Sequence, residues 1–289
     1  MPKKELKGII FDVREMALHD GPGIRTVVFL KGCPLRCVWC HNPEGLEPER
    51  QIMAATGGCT DCGSCRAACI QGLDRDSCTL CGACITACNK RLRKICGKEY
   101  TSDALAKLIM KNKDYFSKQG GGVTFSGGEP TMQAEFLIVV LKKLDGMHRA
   151  IETCGHCAAN IFTCVIEQTE LVLFDFKIAD SEKHRKYTGA SNELILANLE
   201  ALKRTGQQFI VRIPLIPGFN DDSANMRATA KLLQNTPSLQ RVELLPYHRT
   251  AGSKYTSVGL EYRPPFDTQQ SVKIMPEIFE EYGISCHTL

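Results

Sequence analysis

The sequence predicts an α/β protein with a mostly parallel β-sheet and a cysteine-rich insert. Three observations support this fold class. Short apolar runs alternate with amphipathic stretches after residue 100, a further apolar run precedes residue 31, and eleven of the sixteen cysteines lie between residues 33 and 88. Because repeated βα units imply a parallel sheet, six or more of them indicate a full or partial TIM-type barrel.

Six segments have the short apolar character of buried strands. They are residues 24–30, 122–127, 148–153, 171–176, 208–215 and 241–246. Apolar residues at helical spacing lie between them, at 102–118, 133–144, 193–206 and 223–234. The alternation therefore predicts βα units, with the first strand placed before the insert.

The composition is that of an ordinary globular protein. Of the 289 residues, 43% are apolar and 24% are charged. No apolar run is long enough to span a membrane, and the first residues become acidic too soon for a signal peptide. We therefore expect a cytoplasmic monomer without a membrane segment. The formal charge of +4 is too small to indicate nucleic acid binding.

Eight cysteines form an internal repeat, because residues 59–69 and 78–88 both follow the spacing C-x2-C-x2-C-x3-C. Disulfides are disfavoured in a reducing cytosol, which favours metal. Bacterial two-cluster ferredoxins use this run, and their fourth cysteine binds the other cluster. On that rule one [4Fe–4S] cluster is held by Cys59, Cys62, Cys65 and Cys88, and the other by Cys78, Cys81, Cys84 and Cys69.

The repeat departs from the ferredoxin pattern at one position. Ile70 and Asn89 stand where ferredoxins have a proline after the fourth cysteine. Proline supplies no ligand, so we expect ligation to be retained. The alternative is a pair of four-cysteine zinc sites, although structural zinc prefers two CxxC pairs with a longer spacer.

A basic stretch follows the repeat. Between Lys90 and Lys113 there are eight Lys or Arg residues against two acids, Glu99 and Asp103. The stretch is either a docking surface for an acidic electron donor or a solvated helix face.

Unusual polar residues follow the predicted strands. In parallel barrels the chemistry lies at the carboxyl ends of the strands. Those ends carry Cys33, SGGEP (126–130), ETCG (152–155), DFK (175–177) and YH (247–248), and Arg212 lies within the fifth strand. Asp175 and Lys177 are two positions apart on a strand, so they can share one site.

A separate group has only three cysteines, Cys33, Cys37 and Cys40, within KGCPLRCVWCHNPE (31–44). A closed structural metal site takes four protein ligands. Three thiolates therefore either use a distant fourth ligand or leave one metal position open for chemistry.

The segment CPLRCVWC resembles the CxxxCxΦC signature of the radical S-adenosylmethionine (SAM) enzymes, with Trp39 as the aromatic residue. The chain resembles one subfamily, the glycyl-radical-enzyme activating enzymes, in DGPGIRTVVFLKGCPLRCVWCHNPE, GGGVTFSGGEPTMQ, ETCG, DFK, VRIPLIPGFND and LLPYH. The resemblance implies a partial (β/α)6 barrel formed by residues 1–48 and 100–289, with a ferredoxin-like two-cluster insert at residues 49–99.

The resemblance also implies roles for individual residues. Cys33, Cys37 and Cys40 would hold a third [4Fe–4S] cluster whose fourth iron binds SAM. Other contacts to SAM would come from Gly127, Gly128 and Glu129 at its amino group, Lys177 and Arg212 near its carboxylate, Phe176 in the DFK segment, His248 at the ribose or adenine, and the backbone of Trp39, Cys40 and His41 at the adenine. Glu152, Thr153 and Asp175 would bind a monovalent cation, although the best-known members have aspartate at the first position.

The function implied by the resemblance is activation of a partner glycyl radical enzyme, with electrons from flavodoxin or ferredoxin and no side chain acting as acid or base. The turn at Asp20–Gly23 would receive the partner's glycine loop, or is an ordinary turn. The alternatives are a radical SAM enzyme acting on a small molecule or another peptide, and a ferredoxin-type electron carrier. Five cysteines have no assigned role and are expected to be buried thiols: Cys96, Cys154, Cys157, Cys164 and Cys286.

Overall fold

A computed structural model describes residues 5–289. The strands are β1 (Lys7–Ala17), β2 (Arg25–Leu30), β3 (Gln51–Ala54), β4 (Arg93–Cys96), β5 (Lys98–Thr101), β6 (Gly122–Gly127), β7 (His148–Thr153), β8 (Leu171–Asp175), β9 (Phe209–Leu215), β10 (Leu239–Pro246) and β11 (Cys286–Thr288). The helices are α1 (Ser64–Ala67), α2 (Ala83–Thr86), α3 (Ser102–Met110), α4 (Lys113–Lys118), α5 (Ala134–Lys142), α6 (Ala159–Ile166), α7 (Ser181–Thr188), α8 (Glu193–Thr205), α9 (Ser223–Leu233), α10 (Gly252–Ser257) and α11 (Glu277–Glu280).

The main sheet is open and has nine strands in the order β11-β10-β9-β8-β7-β6-β2-β1-β5. Seven of them, β2 and β6 to β11, run parallel, whereas β1 and β5 are antiparallel additions at one edge. All six predicted strands are confirmed, as is the parallel sheet of a mixed α/β fold. The sequence analysis did not predict β1, β5 and β11.

The four predicted helical segments are confirmed with one difference. Residues 102–118 form two helices, α3 and α4, separated at Lys111 and Asn112. The Asn112 side chain donates a hydrogen bond of 3.0 Å to Glu15 of β1, and Asn112 precedes the first residue of α4. None of the helices in residues 5–289 has the length and hydrophobicity that crossing a bilayer requires.

The core lies on both faces of the parallel strands. Every residue of β2 is buried, and Phe125, Phe174 and Phe209 from β6, β8 and β9 are fully inaccessible to solvent. Parallel strands covered on both faces are expected to be apolar throughout, in agreement with the short apolar runs of the sequence.

The cysteine repeat is carried on a separate two-stranded antiparallel sheet. Strands β3 and β4 pair in register from Gln51 with Cys96 to Ala54 with Arg93. The two ends of residues 55–92 therefore lie next to each other. We refer to residues 55–92 as the cysteine lobe, and to β3 and β4 as its stalk.

Candidate active site

The carboxyl ends of the parallel strands surround a cavity of about 210 Å³, which we call the barrel cavity. It is lined by Cys33, Leu35, Cys37, Trp39, Cys40, His41, Asn42, Ser126, Gly127, Gly128, Glu152, Thr153, Cys154, Asp175, Lys177, Pro214 and Leu245. Parallel strands bring their carboxyl ends to one edge, so residues far apart in the chain meet there. The predicted convergence of the three-cysteine loop with SGGEP, ETCG and DFK is therefore observed.

The three-cysteine loop is held against the body by its backbone. The Val38 amide donates to the Tyr187 carbonyl at 3.0 Å, and the Cys33 amide donates to the Leu46 carbonyl at 3.1 Å. Burial raises the pKa of both Cys33 and Cys37 to about 12. The thiols are thus protonated at neutral pH without a metal, and metal binding must displace those protons.

Two glycines allow β6 to approach the loop after β2. Gly127 has a φ of +130°, and a side chain there would clash with the Leu30 carbonyl. At Gly128 a side chain would clash with the Gly32 carbonyl, and the Gly128 amide donates to Leu30 at 2.9 Å. Only glycine fits this close approach, which brings the SGG backbone to the wall of the barrel cavity.

Asp175 and Lys177 form an ion pair in the cavity wall, as their spacing predicted. Lys177 Nζ lies 3.1 Å from Asp175 Oδ2. Burial alone lowers the pKa of Lys177, but Asp175 and the nearby thiols raise it overall, so the amine stays charged. Asp175 Oδ1 is buried and has no hydrogen-bond partner in the described part of the chain. A buried unpartnered acceptor is costly, which favours a ligand that donates to it.

The negative charge of Glu152 is compensated by other residues of the protein. Arg212 NH1 lies 2.8 Å from Glu152 Oε1, and Ser126 Oγ donates to Glu152 Oε2 at 2.5 Å. Burial favours a raised pKa for Glu152, but Arg212 and Ser126 lower it overall, so the carboxylate is ionised. Arg212 also pairs with Glu243 of β10 at 2.9 Å. The sequence analysis missed Glu243, although it is the only acid in the apolar run RVELLP.

The three residues expected to bind a monovalent cation, Glu152, Thr153 and Asp175, all line the barrel cavity. Glu152 accepts from Arg212 and Ser126. The Thr153 hydroxyl donates to Glu129 at 2.7 Å and accepts from the Gly155 amide. Asp175 Oδ1 is the one side-chain oxygen of the three predicted residues that lacks a partner. Cation binding by these residues stays a prediction.

Glu129 lies behind the cavity wall and is only 1% exposed. Its Oε1 accepts from the amide and hydroxyl of Thr131 and from the hydroxyl of Thr153, and its Oε2 accepts from the Cys154 amide at 2.8 Å. Four donors satisfy this carboxylate. Its role in the structure is to join the turn after β6 to the turn after β7, rather than to face the cavity.

The residues expected at the adenine side differ in position. Trp39 is 4% exposed and packs with Ile178 and Ile216 beneath the loop. His41 lines the cavity, and its ring stacks on the exposed His248 ring at 4.1 Å between centroids. His248 thus supports His41 from outside the cavity.

Two further predicted SAM contacts, Phe176 and Arg212, also lie outside the cavity wall. Phe176 is 1% exposed and packs in the main core. Arg212 is 4% exposed and is engaged by Glu152 and Glu243. Their side chains act on the site through the residues they contact.

The turn at Asp20–Gly23 is fixed by three side chains from the sheet. Arg212 donates to the His19 carbonyl, Thr124 Oγ1 donates to the Asp20 carbonyl at 2.6 Å, and Arg25 NH1 donates to the Pro22 carbonyl at 2.5 Å. Burial and the neighbouring Glu152 raise the pKa of Asp20. Arg212 therefore links this turn directly to the wall of the barrel cavity.

The cysteine lobe has a cavity of its own, of about 300 Å³, which we call the lobe cavity. Its cysteines are Cys59, Cys62, Cys65 and Cys88. This set combines three cysteines of the first repeat with the last cysteine of the second. Of the other four, Cys84 is buried, Cys69 and Cys78 are half-buried and Cys81 is exposed.

The two repeats share one backbone conformation. Asp61 and Leu80 occupy equivalent positions and have φ values of 50° and 56°, and the equivalent Gly63 and Gly82 have φ values of 73° and 81°. Each repeat then forms a single helical turn, α1 or α2. Among residues 5–289, no three Cys, His, Asp or Glu side chains are grouped so that they could hold a single metal ion.

The five unassigned cysteines differ in burial. Cys96 and Cys154 are buried, Cys157 and Cys286 are half-buried, and Cys164 is exposed. The prediction of buried thiols is therefore wrong for Cys164, which lies on the outer face of α6. Cys154 lines the barrel cavity. The sequence analysis placed its segment, ETCG, at the carboxyl end of a strand but gave Cys154 itself no role.

Comparison with known proteins identifies the family. Residues 27–230 match the Radical SAM superfamily. The chain is 36% identical to the 4-hydroxyphenylacetate decarboxylase activating enzyme of Clostridium scatologenes, with 97% of each chain covered. It is 41% identical to the trans-4-hydroxy-L-proline dehydratase activating enzyme of Clostridioides difficile, covering 88% of this chain and 89% of that one.

A solved structure shares the fold alone. Streptococcus suis SuiB bound to precursor peptide SuiA aligns with a TM-score of 0.53 at 12% identity, covering 91% of this chain and 48% of SuiB.

The chain belongs to the radical SAM superfamily and, within it, to the glycyl-radical-enzyme activating enzymes. It is an oxidoreductase that reductively cleaves SAM to a 5′-deoxyadenosyl radical, which takes a hydrogen atom from a glycine of a partner enzyme. The family and the function that the motifs implied are both confirmed.

Proposed function

We propose that the barrel cavity is where this activating enzyme binds its SAM-cleaving cluster, through Cys33, Cys37 and Cys40. The observation that carries the proposal is the single cavity that these thiols share with the SGG backbone, Asp175 and Lys177. Three thiols without a fourth protein ligand suit a cluster with one iron open to SAM.

The residues around the thiols would bind and orient SAM. Lys177 offers a fixed positive charge for a carboxylate, and the unpartnered Asp175 Oδ1 accepts from an amino group. Backbone at Gly127 and Gly128 can approach a ligand closely because it carries no side chain. Arg212 would act on the SAM carboxylate only indirectly, through Glu152.

No acid or base is required of the chain itself, because the cofactors carry the chemistry. Its residues instead exclude water and fix geometry. Trp39, Ile178 and Ile216 form a buried apolar base under the three-cysteine loop. The turn at Asp20–Gly23, fixed by Arg25, Thr124 and Arg212, would receive the partner's glycine loop.

We further propose that the cysteine lobe holds two more [4Fe–4S] clusters, giving three in all. The four cysteines of the lobe cavity are the set that the ferredoxin rule assigns to one cluster. The lobe cavity, of about 300 Å³, lies among these four thiols. The C-x2-C-x2-C-x3-C spacing favours a cluster over zinc, because structural zinc prefers two CxxC pairs with a longer spacer.

This assignment gives the chain three parts. Residues 1–48 and 100–289 would form a partial (β/α)6 barrel, and residues 49–99 a ferredoxin-like insert. The stalk of β3 and β4 supports an insert here, because it is paired apart from the main sheet, although β5 of the main sheet already begins at Lys98. We place the protein in the cytoplasm as a monomer that receives electrons from flavodoxin or ferredoxin.

The partner would be a glycyl radical enzyme. Relatives of similar identity are named for different partners, a 4-hydroxyphenylacetate decarboxylase and a trans-4-hydroxy-L-proline dehydratase. What this chain shares with both is the activation step, so the proposal concerns that step and not the partner's substrate.

Anaerobic reconstitution tests the proposal. We expect about twelve irons per chain and cleavage of SAM with dithionite. Incubation with a candidate partner should then give the EPR doublet of a glycyl radical. About four irons together with bound zinc would refute the two lobe clusters, and intact SAM would refute the barrel site. SAM cleavage driven by a small-molecule substrate, without a radical on any partner, would favour the alternative enzyme.

A further inference from the structure

The rim of the lobe cavity is basic. Arg66, Lys90 and Arg93 line it, and Asp61 is the only acid that does. Arg91 and Lys94, next to these residues in sequence, are exposed and add to the positive charge. The cavity is therefore surrounded mainly by cations.

These cations are not neutralised by the protein. Arg66, Lys90 and Arg93 have no carboxylate within 4 Å in residues 5–289, in contrast to pairs elsewhere on the surface such as Arg227 with Glu281. Unpaired charges of one sign around a concave site attract ligands of the opposite sign and speed their association.

The lobe cavity is open to solvent, because Cys59 and Cys62, which line it, are exposed. Arg75 lies between the two repeats, and its guanidinium donates to the Ile52 carbonyl at 2.5 Å and to the Ser257 carbonyl at 3.0 Å. The first bond attaches the segment between the repeats to the stalk, and the second attaches it to α10 of the body.

The structure divides the basic stretch of the sequence into two parts. Lys90 and Arg93 are on the cavity rim, whereas Lys107 and Lys111 lie on and just after α3, where they are exposed on the barrel. The docking surface and the solvated helix face, which were alternatives for the whole stretch, therefore apply to different residues.

We propose that the basic rim formed by Arg66, Lys90 and Arg93 docks an acidic one-electron carrier protein, so that electrons enter at the lobe cavity. The proposal rests on the proposed function, because it needs a cluster at Cys59, Cys62, Cys65 and Cys88. One electron leaves the reduced carrier and one is gained at the lobe cavity. No bond forms or breaks, and no proton is transferred.

Charge reversal at the rim tests the docking. The rim variant carries Arg66→Glu, Lys90→Glu and Arg93→Glu. The control variant carries Lys107→Glu, Lys111→Glu and Lys142→Glu, which changes the net charge equally on exposed residues of the barrel. Both are mixed anaerobically with reduced flavodoxin, an acidic carrier, and bleaching of the iron–sulfur absorbance is followed by stopped flow.

We expect the rim variant to be reduced at least about tenfold more slowly than the wild type at low ionic strength, because electrostatic steering raises association rates by 10 to 1,000-fold. Added salt should no longer slow the reaction of the rim variant, because it now screens a repulsion. The control variant should stay within about twofold of the wild type. A rim variant at the wild-type rate, or a control slowed equally, would overturn the proposal.

Two further measurements separate docking from folding. Reduced methyl viologen is a small cation that the acidic rim does not repel, so it should reduce the rim variant at least as fast as the wild type if the clusters are intact. A neutral variant, Arg66→Gln with Lys90→Gln and Arg93→Gln, should show a smaller loss with flavodoxin, and an unchanged rate would contradict the docking. Failure of the wild type to cleave SAM with methyl viologen would instead refute the proposed function, and cluster bleaching by flavodoxin would still report on docking.

Discussion

Arg212 connects three separate parts of the site. It joins Glu152 in the wall of the barrel cavity to Glu243 of β10 and to the carbonyl of His19 in the turn before β2. The side chain is 4% exposed, so these charges are largely removed from water. Removing one partner of a buried ion pair leaves the other uncompensated, which is more costly than the pair itself is stabilising.

Replacement of Arg212 by Met should therefore lower the free energy of unfolding by about 3–5 kcal/mol, because Glu152 loses its ion-pair partner and Glu243 keeps only Arg241. Urea denaturation of the reconstituted protein measures this change. Arg227→Met is the matched control, since its pair with Glu281 is about half exposed, and it should cost less than about 1 kcal/mol. Equal losses in the two variants would mean that the buried ion pairs of Arg212 stabilise the fold no more than an exposed pair does.

Removal of a single thiol distinguishes the barrel site from the cysteine lobe experimentally. Cys37→Ala should abolish SAM cleavage with dithionite and leave about eight of twelve irons, because the two lobe clusters do not use this residue. Cys164→Ala, which changes an exposed thiol of α6, should keep about twelve irons and full cleavage. Iron analysis and product chromatography decide the matter, and cleavage by the Cys37 variant would exclude the barrel site.

A substitution at the end of β6 tests how closely this strand must approach the loop after β2. Gly127→Ala should strongly impair SAM binding and folding, because the added methyl group meets the Leu30 carbonyl and φ is +130°. Gly218→Ala separates these two effects, since Gly218 also has positive φ, at +73°, but open space around it. We expect a loss of about 1–2 kcal/mol at Gly218 from conformation alone. A Gly127 variant that is no worse than this in urea denaturation would show that the close approach can relax.

The six inner parallel strands and the longest helices could be predicted from sequence because their signals are local. The six strands and four helical segments are visible as apolar periodicity. In contrast, β1 mixes apolar and charged residues and gains its place by antiparallel pairing with β2, and β11 has only three residues. The break at Asn112 depends on Glu15, which is 97 positions away.

The barrel site shows the same difference between local signals and contacts that join distant residues. Asp175 and Lys177 could be placed together because they are two positions apart. The contacts of Arg212 could not be predicted, since its partners Glu243 and His19 lie 31 and 193 positions away. Its motif suggested a ligand contact, whereas buried charge pairing decides its position.

At the scale of the whole molecule, the stalk makes the cysteine lobe separable. Ala54 and Arg93 are cross-strand partners, so residues 55–92 can be replaced by Asn-Gly, which favours a two-residue hairpin turn. We expect the shortened chain to fold, to bind about four irons and to cleave SAM with dithionite, but to lose reduction by flavodoxin. Circular dichroism, iron analysis and stopped flow measure these properties. Loss of SAM cleavage with dithionite would show that the lobe is needed for the chemistry itself.

The position of Cys88 opposite Cys59, Cys62 and Cys65 determines the order of events during biosynthesis. The first three thiols leave the ribosome well before Cys88, which follows Cys65 by 23 positions. At 5–20 residues per second this interval is about 1–5 s. The first site stays incomplete until the second repeat has emerged and folded back onto it. The proposed cluster at Cys59, Cys62, Cys65 and Cys88 can therefore be completed only after the second repeat has emerged, and we expect a newly made chain to acquire its two lobe clusters together.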